Sequence, residues 1–169
     1  GTVVAGMGIT ALEGNISDVL KIENSDFASL VETRVLLETE SAKLAAQRRS
    51  EADLDTLKAA LEAYENKIQL GQQAVEEDLL FHLKIAEASQ NVVLKSLMLI
   101  ITPDIINNFI KLDICEDGRT ADVLQEHRII LQHIVAQEPE AAAAAMQVHL
   151  KDVFDYSQRL KQQQGNGKA

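Results

Sequence analysis

The residues able to do chemistry stand out by register rather than by motif. His82 follows Asp78 by four positions in a stretch whose apolar residues are Val75, Leu79, Ile85 and Ala86. On a helix, both polar side chains therefore share the inward face. Between Thr120 and Gln137 the stripe of Val123, Leu124, Ile130, Leu131 and Ile134 contains His127. Between Pro139 and Lys161 the stripe of Ala142, Ala145, Met146, Val153 and Tyr156 contains His149. Three of the four histidines behave this way, and His133 falls off its stripe. A lone histidine on an apolar face is ordinarily a core residue with a hydrogen-bond partner. One carboxylate and three imidazoles buried with no common partner would be costly. A divalent cation removes that cost, because neutral imidazole and carboxylate are its ligands. The competing readings are a buried polar network and a misread helix register.

Arg34 is the second oddity. The first helix buries Phe27, Leu30, Val31, Leu37 and Ala45, and Arg34 lies within that stripe. A guanidinium keeps its proton and needs an anion there. That anion is either an internal carboxylate, such as Glu38 or one on a neighbouring helix, or the carboxylate of a ligand held in the planar fork.

The elements that must position these residues read as helices. The chain has 169 residues, suited to one domain, with only eight glycines and two prolines. The hairpin punctuation of a β fold is missing from its middle. A first helix starts at Ser25 or Asp26 and runs to about Arg49, and a second starts at Ser50, where Asp53 completes a capping box. Gly71 separates the second from a third over about 72–89. A fourth, from Asn91, is apolar nearly all round and reads as central. Pro103 breaks or kinks it, and another helix follows to about Ile114. A helix over about 120–137 and a last one from Pro139 to about Lys161 complete six or seven. Short connections favour an antiparallel bundle. Arg48 and Arg49 read as a solvated helix end.

Charge and cysteine usage narrow the function classes. The formal net charge is −10, which repels phosphate backbones, so this chain by itself is a poor nucleic-acid binder. A single cysteine, Cys115, excludes an internal disulfide framework and suits the cytoplasm. No apolar run approaches the roughly 18 residues needed to span a bilayer, and no signal-peptide pattern opens the chain. There is no glycine-rich phosphate loop, nucleophile elbow or cysteine-pair zinc motif.

Four segments, in order, carry a resemblance. They are Glu32-Thr33-Arg34-Val35-Leu36-Leu37-Glu38, Asp78-Leu79-Leu80-Phe81-His82 continuing to Ala88-Ser89-Gln90-Asn91, Glu126-His127-Arg128-Ile129-Ile130, and Met146-Gln147-Val148-His149-Leu150. With them the chain resembles the effector-binding (FCD) domain of the FadR branch of GntR-type bacterial transcription regulators. The resemblance implies an all-α antiparallel bundle that forms a homodimer and binds a small organic acid effector. It also implies one divalent metal ion on Asp78, His82, His127 and His149, zinc first, with nickel, manganese or iron also compatible. Arg34 would then engage the effector carboxylate beside the metal. Gly1-Thr2-Val3-Val4-Ala5 looks like the last strand of a winged helix-turn-helix. Residues 1–24 would be that remnant and a linker, 25–161 the effector- and metal-binding domain, and 162–169 a disordered tail. DNA contact would belong to the N-terminal domain outside this sequence, with no membrane partner and no enzymatic turnover. The alternatives are a structural dimerisation module with a structural metal, or a mononuclear metalloenzyme, against which no second free base stands on the stripes. Ser89, Asn107 and Asn108 are candidates to line the effector pocket.

Overall fold

Local signals in the sequence set where the helices begin and end. The computed structural model describes residues 27–113 and 119–167, and six helices run through them: α1 (Phe27–Arg48), α2 (Glu51–Gln69), α3 (Val75–Ala88), α4 (Val92–Leu112), α5 (Thr120–Val135) and α6 (Pro139–Asn166). The expected strand at Gly1–Ala5, the linker to residue 24, the caps Ser25 and Asp26, and Cys115 lie outside the described residues. The capping box forms: the Asp53 N–H donates to Ser50 Oγ at 3.0 Å and the Ser50 N–H to Asp53 Oδ2 at 2.9 Å. Asn91 caps α4 by accepting from the N–H groups of Val93 and Leu94. Gly71 closes α2 at φ +67°, a left-handed position that suits glycine. Arg48 and Arg49 are not merely solvated. Arg48 donates to the Ser89 carbonyl, and Arg49 to those of Ile134 and Val135, so they satisfy the C-terminal ends of α3 and α5.

Three expectations need correction. Pro103 does not end a helix, and α4 continues through it to Leu112. The proline sits on the exposed side, where water can take the Leu99 carbonyl that its missing N–H leaves unpaired. The continuous α4 is, by length and hydropathy alone, long and apolar enough to cross a membrane, which the broken reading concealed. It is also not central. Its Met98, Ile101, Ile105 and Phe109 pack inward, while Val92, Val93, Leu99 and Ile110 are exposed. The central element is α1, which packs on α3, α4, α5 and α6. Lastly, α6 continues past Lys161 to Asn166, so the tail expected to be disordered from residue 162 is helical and exposed for its first five residues.

The core is divided, and the division places the site. One apolar cluster gathers Ala42, Leu57, Phe81, Ile85, Ile130 and Met146. The other gathers Leu30, Val31, Leu79, Met98, Ile105 and Phe109. Along α1 the fully buried members of the second cluster end at Val31 and those of the first begin at Ala42. The turns between carry Arg34, Glu38 and Ser41, all buried. A polar layer thus crosses the interior where the two clusters meet.

Candidate metal centre

The helical registers read from the sequence bring Asp78, His82, His127 and His149 to one point. One ligand atom from each lies within 4.8 Å of every other. Asp78 Oδ1 is 3.2 Å from His82 Nε2 and 2.9 Å from His127 Nε2. His149 Nε2 is 3.1 Å from His82 Nε2 and 3.2 Å from His127 Nε2. Donor atoms this close together could all be reached by a single ion with metal–nitrogen and metal–oxygen bonds of about 2.0–2.2 Å. His127 is also held in place by aromatic neighbours, with Tyr64 edge-on and Phe81 tilted, each at 4.9 Å between ring centres.

On two of the three imidazoles a carboxylate at the other ring nitrogen accounts for the aim of the lone pair, whereas His127 Nδ1 is buried with no hydrogen-bond partner among the described residues. His82 Nδ1 contacts Glu38 Oε1, and His149 Nδ1 lies 2.7 Å from Glu126 Oε2. A carboxylate at Nδ1 keeps a proton there and turns Nε2 towards the common centre, where it is the atom free to bind an ion once any proton on it is displaced, the usual support for a metal-binding imidazole. Asp78 Oδ1, buried among these rings, accepts no hydrogen bond of good geometry among the described residues. An oxygen and three nitrogens that face one another with so few protons between them fit a cation.

Electrostatics follow the same geometry. Burial pushes Glu38 up, but Arg34 and His82 outweigh it and hold the carboxyl near 2. Burial likewise opposes Asp78, which His127 and His82 keep well below the usual carboxylate range. Burial disfavours charge on His82, yet Glu38 and Asp78 raise it to about 9. His127 and His149 are both pushed down by burial, His149 further by its two neighbouring imidazoles. Burial raises Glu126 against the pull of Arg119.

Arg34 satisfies one of the two readings and leaves the other open. Its Nε–H donates to Glu38 Oε2 at 2.5 Å, so the internal ion pair exists. Its guanidinium also lies 5.4 Å from the centre of the Phe109 ring and lines a cavity of about 890 Å³, within the size of small-molecule sites. Asp78, His149, Glu126, Tyr156 and Arg159 line the same cavity. Ser89, Asn107 and Asn108 do not. Ser89 Oγ donates to the Ala86 carbonyl and Asn108 to the Asp104 carbonyl, so these polar groups serve their own helices. Glu126 opens the third matching segment, yet the sequence assigns it no role, because it sits next to His127, off the buried stripe, and meets His149 only across helices. The two carboxylates beside the ligand set are engaged by imidazole and arginine rather than free to act as bases.

The sequence matches the FCD domain over residues 29–152. The chain belongs to the FCD family. It is 32% identical over 162 residues to the HTH-type transcriptional regulator LutR of Bacillus subtilis (strain 168), covering 92% of this chain and 73% of LutR. Among solved structures, Streptococcus agalactiae GntR superposes with a TM-score of 0.68 at 28% identity, over 80% of this chain. This FCD chain spans 62% of that structure's length, less than two thirds. E. coli McbR/YncC, with a TM-score of 0.67 at 16% identity over 78% of this chain and 67% of its own, shares the fold. This FCD domain is therefore all-α and of the GntR group, a family of transcriptional regulators.

Proposed function

We propose that this FCD domain senses a small organic acid on behalf of a bacterial transcriptional regulator. It would hold one divalent metal ion on Asp78, His82, His127 and His149 and grip the acid's carboxylate with Arg34. The observation that carries this reading is the convergence of three imidazole Nε2 atoms and one carboxylate oxygen at 2.9–3.2 Å inside the core. Zinc suits such a set first, and nickel, manganese and iron share the preference. The bound ion supplies positive charge and open positions for oxygen ligands. With it, Arg34, Glu38 and Asp78 leave one net positive charge in the interior, which a single carboxylate cancels.

The acid acts on DNA affinity only through its unequal affinity for two arrangements of the protein. The helices that carry the site, α1, α3, α5 and α6, are those whose relative positions it would bias. DNA contact falls to a helix-turn-helix domain of the kind named for LutR, in keeping with the net charge of −10 on the present chain. The regulator works in the cytoplasm as a homodimer, and the exposed apolar side of α4 supports a second copy there. That same face favours a second reading, a structural dimerisation module with a structural metal.

Metal content per chain, by elemental mass spectrometry on protein purified without chelator, tests the proposal. About one ion per chain is expected in the wild type, and none in Asp78→Ala and His127→Ala. No metal in the wild type after reconstitution would overturn it. Metal-loaded protein whose melting temperature no carboxylate raises would favour the structural module.

A further inference from the structure

The ion pair of Arg34 with Glu38 reaches past Arg34. Glu38 spends its two oxygens on different partners: Oε2 accepts from Arg34 Nε, and Oε1 meets His82 Nδ1. Arg34 and Glu38 are 2% and 1% exposed, and His82 is as deeply buried. The three side chains are in direct contact and buried, so the position of charge on one is felt by the next at low effective dielectric. The guanidinium is used along one edge only. Its Nη1 and Nη2 groups make no hydrogen bond to a described residue, and the side chain borders the cavity. His82 is also used on both sides, with Nδ1 on Glu38 and Nε2 among the converging ligand atoms.

The geometry points to Glu38 as a positioning residue that couples ligand binding at Arg34 to the donor strength of His82 Nε2. The inference rests on the metal reading proposed above and adds a connection within it. While Arg34 has no other anion, its charge draws electron density from Glu38, and the carboxylate holds the His82 Nδ1–H moderately. A ligand carboxylate on the Nη edge neutralises part of that charge. Glu38 then becomes the stronger acceptor for the Nδ1 proton, and the imidazole donates more strongly through Nε2. Metal and acid thus tighten each other's binding, and by thermodynamic reciprocity each does so by the same factor. The linkage needs no contact between the acid and His82, and it uses one helical turn of α1.

Zinc alone, and acetate as the simplest carboxylate, serve as probes on the full chain. Zinc affinity is measured by competition with a chromophoric chelator, in wild type and Glu38→Gln. The His82 Nδ1–H resonance is followed by NMR in zinc-loaded wild type and Arg34→Met. The inference expects Glu38→Gln to weaken zinc by about 10–100-fold. It also expects saturating acetate to shift the Nδ1–H resonance in wild type and to leave it unmoved in Arg34→Met, a readout that a merely structural role would not change. Unaltered zinc affinity in a folded Glu38→Gln, or a resonance that ignores acetate in wild type, or one that shifts equally in Arg34→Met, would each overturn it. If Glu38→Gln does not fold, the resonance decides. Failure of wild type to bind zinc would instead remove the metal reading beneath it.

Discussion

Glu126 Oε2 lies 2.7 Å from Nδ1 of His149, although the two residues stand 23 positions apart on different helices. Glu126 also meets Arg119 at 3.3 Å, and Arg119 in turn contacts Asp152 near the cavity. An imidazole held this way has its tautomer and ring angle fixed before any ion arrives. Glu126→Ala should therefore weaken zinc by about 10–100-fold while the fold persists, because Glu126 is only partly buried. Competition against a chromophoric chelator, alongside helicity by circular dichroism, checks both halves.

The metal-free centre should hold a proton that zinc must displace. His82 titrates at about 9 because Glu38 and Asp78 outweigh its burial, whereas burial keeps His127 and His149 neutral. Calorimetry in buffers of different ionisation enthalpy should find about one proton released per zinc at neutral pH, falling towards none above pH 9. The sign for stability follows from a raised folded-state value. The contribution of His82 to the metal-free fold is complete below its ordinary value of 6.5 and is lost as pH rises through about 9. The melting temperature of metal-free protein should fall over that interval.

Core packing sets a separate scale. Ile85 is fully buried in the cluster with Leu57 and Phe81, so Ile85→Ala should cost about 2–5 kcal/mol in urea unfolding. Ile110, 62% exposed on α4, should lose less than about 0.5 kcal/mol as alanine when the chain is monomeric.

If a second copy covers α4, charge placed there should separate the pair. Val93 is 67% exposed on the same helix as Ile110. Val93→Glu should move the sedimentation coefficient from that of a dimer to that of a monomer without loss of helicity. Identical sedimentation of the two proteins would show that this face has another use.

Legibility in the sequence followed burial. His82, His127 and Asp78 could be read because a polar residue at an apolar register is conspicuous on a single helix, and the same register count placed His149. Glu38 was visible only as a candidate partner four residues from Arg34, and its second contact, with His82, crosses to α3. Glu126 carries no signal of a role by register, since an acidic residue on a partly exposed helix face is ordinary, although it belongs to a matching segment. The continuous apolar run of α4 misled in the opposite direction. Val92, Val93 and Leu99 are as hydrophobic as Met98 and Ile105, and composition does not say which side faces the interior. Pro103 is tolerated inside α4 because the penalty for an interior proline depends on whether water reaches the orphaned carbonyl, which the sequence does not reveal. The candidate pocket residues Ser89 and Asn108 lie away from the cavity that Arg34 borders, and each bonds to its own helix's backbone.

Because α1 carries both Arg34 and Glu38 and touches four other helices, it behaves as an axle rather than a wall. A wall could yield locally to a ligand and leave the rest of the bundle undisturbed. An axle gripped on α3, α4, α5 and α6 cannot turn about its own length without dislodging side chains on all of them together. Whatever pulls on the guanidinium near its midpoint therefore loads all four interfaces together.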